Sequence, residues 1–338
     1  MDHLIEKEFK GKTVLVTGGT GSIGSELVKQ VLQYQPAKVR VFSRDETKQY
    51  ELIESLGYPK NLNILIGDIR DKERLSFAFR DVDIVLHAAA MKHVSISEYN
   101  PFEVIKTNIV GSQNVIDAAI EQGVKKVVGI STDKAVNPTG VLGTSKLMME
   151  KLFVNANNYI KSSETKFLCV RFGNVTWSRG SVLPSWREHA AREKVIKVTD
   201  QKMTRFFMSK EEAIDLVLKA TALTQGGEIF TFKMSSVKLI DLAQMFLEKY
   251  FPGQDIKIEV VGRRQGEKIH EEFFDQADLG KFILSDDRMF IIVPRNRLGN
   301  LYDISAEIPE YYGFKLLEVV KNLSSFDAVD SEKIKSII

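Results

Sequence analysis

Within STDKAVNPTGVLGTSK, residues 131 to 146, a hydroxyl, a carboxylate and an amine stand side by side at Thr132, Asp133 and Lys134, and a second amine follows at Lys146. An adjacent Asp–Lys pair can act as acid and base on one substrate. Burial or neighbouring charges must then raise the pKa of the acid and lower that of the lysine. The same dipeptide could equally be a solvated ion pair in a loop, so its setting has to decide. Four residues before Lys146 stands Leu142, which cannot move a proton. If this stretch is a site, other side chains carry its proton chemistry.

The pair follows KKVVGIS, one of several short apolar runs in the first half. TVLVTG, KVRVFSR, NILIGDI, DIVLHAA, KKVVGIS and FLCVRFGNV alternate with helical patterns such as VIKTNIVGSQNVIDAAIEQG, where apolar residues recur every three or four positions. Near-continuous apolar strands separated by helices predict a Rossmann-type α/β fold, a doubly wound parallel sheet covered on both faces. Ligands gather at the carboxyl ends of such strands, and Asp133 and Lys134 sit at one of them. The pattern changes after residue 175. We expect a dinucleotide-binding domain over 1–176, to which 205–235 returns, and a smaller C-terminal α/β substrate-binding part over 177–204 and 236–338.

TGGTGSIG (17–24) joins the first strand to the first helix. Gly18, Gly21 and Gly24 would allow a tight turn, close approach of a pyrophosphate and close helix–strand packing, with Thr20, Ser22 and Ile23 lining the turn. The diphosphate would rest on free N–H groups at the helix start. After the second strand, Ser43, Arg44 and Lys48 suit a ribose 2′-phosphate and favour NADP, while Asp45 could serve NAD. Asp68 and Ile69 would lie beside the adenine. Ala88, Ala89 and Ala90 are small where a cofactor must pass, as they also would be in ordinary helix–sheet packing.

The totals exclude several classes. Lys and Arg number 47 against 45 Asp and Glu, a net charge of +2, which argues against a nucleic-acid binder. The five histidines are scattered, so no metal site is expected. The single Cys169, inside KFLCVRF, excludes an intrachain disulfide and reads as a packing residue. No run approaches the ~18 apolar residues of a membrane span. MDHLIEKEFKGK has no signal-peptide core, and a soluble cytoplasmic chain is the expectation.

Taken in order, TGGTGSIG, SRDE, AAAMKHV, STDKAVNPT, RFGNV, SRGSV, MTRFFM and QGEKIHEE resemble, over most of the chain, the extended short-chain dehydrogenase/reductases. Within that group they are most similar to the UDP-N-acetylglucosamine 4,6-dehydratases of bacterial polysaccharide biosynthesis. The resemblance implies a lyase with a tightly bound nicotinamide cofactor. It oxidises C4 of UDP-GlcNAc, eliminates water across C5 and C6, and returns hydride to C6. Asp133 would be the acid at C6 and Lys134 the base at C5. Thr132 would bind the C4 hydroxyl, and Lys146 the nicotinamide ribose as a fixed positive charge. Asn108 would hold active-site water or backbone.

Leu142 departs from the family pattern. Configuration-inverting members usually carry tyrosine there, and many retaining members carry methionine. Leucine therefore implies retention at C5, with Asp133 or a water held by Thr132 taking the C4 proton. Inversion on the same substrate is the alternative. A 4-epimerase would need the tyrosine, and a non-catalytic NADP-binding regulator would have no use for the four site residues together. The resemblance further assigns Lys92, His93, Asn174, Arg179, Ser181, Val182, Thr204, Arg205, Arg264 and Glu267 to the UDP-sugar. Self-association is expected through helices near 101–122 and 143–160, although LMMEKLF (147–153) would serve equally as a core stripe.

Overall fold

In the computed structural model, residues 2–159, 165–275, 278, 282–294, 313–317 and 323–338 are described. The expected substrate part therefore includes stretches, among them 295–312 and 318–322, that lie outside the described residues.

A ten-stranded sheet forms the body, in the order β15-β13-β14-β10-β6-β5-β4-β1-β2-β3. Its parallel half comprises β1 (Thr13–Thr17), β2 (Lys38–Ser43), β3 (Leu62–Ile66), β4 (Ile84–His87), β5 (Lys126–Thr132), β6 (Lys166–Phe172) and β10 (Ile229–Phe232). Strand order reverses between β1 and β4, and a crevice opens there above the carboxyl ends. Helices α2 (Ser22–Gln33), α7 (Gly111–Glu121), α8 (Val141–Tyr159) and α10 (Lys210–Leu223) bury apolar faces against the sheet. In LMMEKLF, Met149 and Phe153 are fully buried while Met148 faces outward.

The sheet does not stop where the sequence suggests. β13 (Phe282–Ser285) and β14 (Met289–Val293), expected in the substrate part, pair antiparallel onto β10, and β15 (Lys315–Leu316) pairs onto β13. MFIIV is buried along its whole length, and its pairing removes the open edge that β10 would otherwise present.

A second, smaller core gathers Leu183, Trp186, Val198, Phe207, Phe246 and Ile334. It lies among α9 (Val182–Glu193), α11 (Leu239–Tyr250), the C-terminal α12 (Ser331–Ile337), the pair β8 (Val195–Val198) and β12 (Lys257–Val260), and the small sheet β11-β9-β7. In that sheet, β7 (Asn174–Val175) runs parallel to β9 (Thr204–Met208), and β11 (Ser235–Lys238) pairs antiparallel with β9. Among the described residues, no helix is long and apolar enough to cross a membrane.

Candidate active site

A cavity of about 830 Å³ opens over the strand ends between the two cores. At its floor is the glycine turn. Gly18 takes φ +64°, and a Cβ there would come within 2.8 Å of the Ala89 backbone, so the β1 turn and the β4 end close on each other. A Cβ on Gly21 would have only the Gly18 carbonyl oxygen, at 3.2 Å, within 4 Å, so the groove is open at this point. Gly21 caps α2 without side-chain help, leaving the first N–H groups of the helix for a ligand. These features fit a dinucleotide.

Every residue expected at the cofactor lines this cavity except Asn108. Asp45 is already committed. Its carboxylate caps α3 (Glu46–Ser55), accepting from Lys48 N at 3.0 Å and Lys48 Nζ at 2.6 Å, and Lys48 holds it below the usual carboxylate value. Ser43 Oγ and Thr20 Oγ1 share a hydrogen bond of 2.8 Å, and the exposed Arg44 guanidinium reaches Asp68 only at 3.6 Å. Asn108 sits in a π-helical turn, Ile105–Val110, where an otherwise regular helix widens. Its side chain accepts from Met91 N at 2.8 Å and donates to Met91 O and Ser145 Oγ, both at 3.0 Å. It holds backbone, tying the loop after β4 to α8.

β5 ends at Thr132 and turns at once through Asp133–Ala135. Thr132 Oγ1 donates to Asp133 Oδ1 at 2.9 Å. Lys134 Nζ donates to the same oxygen at 2.9 Å and to Asn174 Oδ1 at 3.1 Å. Asp133 is 2% exposed, so the pair is not a solvated loop contact. Its Oδ2 is buried with no hydrogen-bond partner, which leaves one carboxylate oxygen uncommitted. A Cβ on Gly143 would collide with the Lys134 carbonyl, so glycine there lets α8 seat against the turn. The start of α8 is capped from α5 (Val94–Tyr99), where Glu98 accepts from Val141 N at 2.7 Å.

Lys146 Nζ donates to Ile130 O at 2.8 Å in a buried setting. Burial pulls its pKa down to about 8, which still leaves the amine mostly charged at neutral pH. Leu142 is buried beside it on the cavity wall.

Lys92, His93, Asn174, Arg179, Ser181 and Val182 line the same cavity. Residues 179–180 cross it as a strap. Arg179 N donates to Ser22 Oγ at 2.9 Å, its guanidinium donates to Thr20 O, and its carbonyl accepts from Lys92 Nζ at 2.7 Å. Burial, then the Arg179 charge, lower the Lys92 pKa, and burial followed by Lys92 lowers that of His93.

Thr204, Arg205, Arg264 and Glu267 do not line this cavity. The Thr204 hydroxyl is shared with His270 Nδ1 at 2.8 Å and Ser325 Oγ at 2.6 Å. Arg205 donates to the carbonyls of Thr204, Ile269 and Lys268, bracing a loop from within. Glu267 accepts from Arg264 N at 3.0 Å on the surface. Sequence reading missed Glu271, which stands 3.8 Å from Lys134 Nζ, and Lys268, which stands 2.7 Å from Glu271. QGEKIHEE marks the segment as notable, but nothing local distinguishes Glu271 from Glu272.

The comparisons with known proteins agree with this geometry. Residues 14–292 match the family described as polysaccharide biosynthesis protein. A UDP-N-acetylglucosamine 4,6-dehydratase (inverting) from Campylobacter jejuni is 47% identical over 272 residues, 80% of this chain and 79% of that protein. An uncharacterised membrane protein of Methanocaldococcus jannaschii is 43% identical over 99% of this chain and 97% of its own length. The X-ray structure of Pen from Bacillus thuringiensis superposes with a TM-score of 0.88 at 40% identity, over 97% of this chain and 98% of that one. With the glycine turn, the strand order 3-2-1-4-5-6 within its sheet and a match spanning most of its length, the chain belongs to the polysaccharide biosynthesis protein family, on a short-chain dehydrogenase/reductase fold.

Proposed function

We propose that this protein is a UDP-N-acetylglucosamine 4,6-dehydratase that inverts configuration at C5. The observation that carries the dehydratase reading is that Thr132 and Lys134 line the cofactor groove and both donate to Asp133, which is buried beside them with Oδ2 uncommitted. The retention expected from Leu142 gives way, because the relatives named as dehydratases at 47% identity are inverting enzymes.

When bound, NADP supplies the hydride acceptor for C4 and the hydride donor for C6. The protein supplies the protons. Thr132 accepts the C4 hydroxyl proton and passes its own to Asp133 Oδ1 along the 2.9 Å contact, which replaces the missing tyrosine. Lys134, having released its own proton to solvent, takes the C5 proton made acidic by the 4-keto group. Asp133 returns its proton to the departing C6 hydroxyl, which leaves as water. Inversion needs the final C5 proton on the opposite face, where Leu142 has none to give, so this proton comes from solvent.

The test is incubation with UDP-GlcNAc and NADP in deuterated water, followed by NMR and mass spectrometry. The expected product has lost one water, carries deuterium at C5 and has the L-arabino configuration. A product with the original C5 configuration would overturn inversion and leave dehydration standing. An isomer of unchanged mass would remove the dehydratase reading altogether.

The preference for NADP rests on Arg44 being exposed and weakly paired while Asp45 is occupied as a cap. Arg44→Ala is expected to weaken NADP binding about tenfold, the loss of one charge-assisted hydrogen bond, and to leave NAD unchanged. Fluorescence titration with both cofactors measures this. Equal losses for the two would remove the 2′-phosphate assignment. Tyr99, Phe102, Ile105 and Val110 stand exposed on neighbouring helical turns and support self-association through this face.

A further inference from the structure

Glu271, 1% exposed, takes part in none of the steps above. It ends the segment 268–271, which brackets the Asp133–Ala135 turn. Lys268 Nζ donates to Val136 O at 2.7 Å, just past that turn, and stands 2.7 Å from Glu271 Oε2. On the other side, Glu271 Oε1 stands 3.8 Å from Lys134 Nζ and 3.8 Å from Arg205 Nε. Ser325 Oγ accepts from the Glu271 backbone N–H at 2.9 Å, which fixes the main chain.

Burial pulls the Glu271 carboxyl upward, but the charges of Lys134, Lys268 and Arg205 outweigh burial and leave it below the usual carboxylate value. The three cations around it therefore favour its charged form. Lys268 and Arg205 would already balance a carboxylate that served only to bolt this segment down. The approach to Lys134 is additional, and it sets that ammonium between two carboxylates, with Asp133 Oδ1 at 2.9 Å and Glu271 at 3.8 Å. Asn174 Oδ1, at 3.1 Å, completes the shell from β7. The nearby His270 ring is turned away to Thr204.

We infer that Glu271 is a positioning residue: it holds the Lys134 side chain toward the hexose and sets the charge against which Lys134 gains and loses its proton. The kinetic consequence rests on the dehydratase reading, whereas the ionisation of Lys134 does not.

Glu271→Gln in the full chain, labelled with ¹³Cε-lysine, tests this by NMR titration, with the Lys134 signal assigned from a Lys134→Arg sample. Removal of an opposite charge at this range is expected to lower the Lys134 midpoint by about one pH unit, a tenfold change in its ionisation. In parallel, kcat for UDP-GlcNAc falls about tenfold while KM moves much less, and Glu271→Asp recovers part of the rate. Lys268→Met is the control, because it removes a structural partner and keeps the Lys134–Glu271 pair. The inference predicts no downward movement of the Lys134 midpoint in that variant. A midpoint unmoved in Glu271→Gln, or lowered equally in Lys268→Met, would overturn it. Wild-type protein that never turns over UDP-GlcNAc would remove the dehydratase reading, while the titration would still decide the role of Glu271.

Discussion

Asp133→Asn is expected to keep its nicotinamide cofactor and lose turnover by a factor of about a hundred to ten thousand, the range for removing a positioned proton-transfer group. The substitution is nearly isosteric. An asparagine Oδ1 can still accept from Thr132 and Lys134, so the turn after β5 should keep its shape. What is lost is the capacity to take a proton. The point at which the reaction then stops distinguishes two roles. If Asp133 serves only as the acid at C6, oxidation at C4 proceeds and the reduced nicotinamide accumulates. If Thr132 relays the C4 proton to Asp133, as the hydrogen bond between them favours, oxidation itself is blocked and no reduced cofactor appears. Stopped-flow absorbance at the reduced nicotinamide band makes the distinction, and we expect no accumulation. Unchanged steady-state turnover would remove Asp133 from the chemistry.

The same cluster shows how far sequence reading reaches. The glycine turn and the Asp133–Lys134 pair are legible because a few residues on one strand-to-helix connection set their position, although Asn174 and Glu271, which complete the surroundings of Lys134, come from far along the chain. Arg205 is a different case. A guanidinium in MTRFFM suggests a phosphate ligand, yet it is spent on the carbonyls of Lys268 and Ile269, some 63 and 64 residues later in the chain. Thr204 likewise finds Ser325 across 121 residues. No periodicity or spacing encodes such partners. β14 was missed for a related reason. MFIIV is a short apolar run with no periodicity to name its partner, and only the open edge of β10 gives it a place. The π-helical turn at Asn108 is invisible to helical periodicity, since one widened turn barely disturbs the pattern.

Beneath the active site lies the second large expected effect. Arg171 on β6 is fully enclosed. Its Nε and Nη2 donate to the two oxygens of Glu150 on α8, at 2.8 and 2.7 Å, and Nη1 donates to Asp278 Oδ2 at 2.5 Å. Ser131 Oγ, one residue before Thr132, donates to Glu150 Oε1 at 2.6 Å. Burial acts to lower the Arg171 pKa, but the two carboxylates outweigh it and hold the guanidinium charged. Arg171→Met would take the guanidinium away from two buried carboxylates. Breaking a buried ion pair on one side typically costs about 3–5 kcal/mol. For a chain of this size that corresponds to a fall in Tm on the order of 10 °C, readable by calorimetry. Adding Glu150→Gln and Asp278→Asn to Arg171→Met removes the two negative charges that faced the guanidinium and is expected to recover most of the loss. The cost lies in uncompensated charge rather than in the lost contacts, and a triple variant as unstable as the single one would show the reverse. Because Ser131 leans on Glu150, the single variant should also loosen the end of β5 and lower kcat more than it weakens cofactor binding. A variant that melts early yet keeps full turnover at low temperature would separate this network from the site above it.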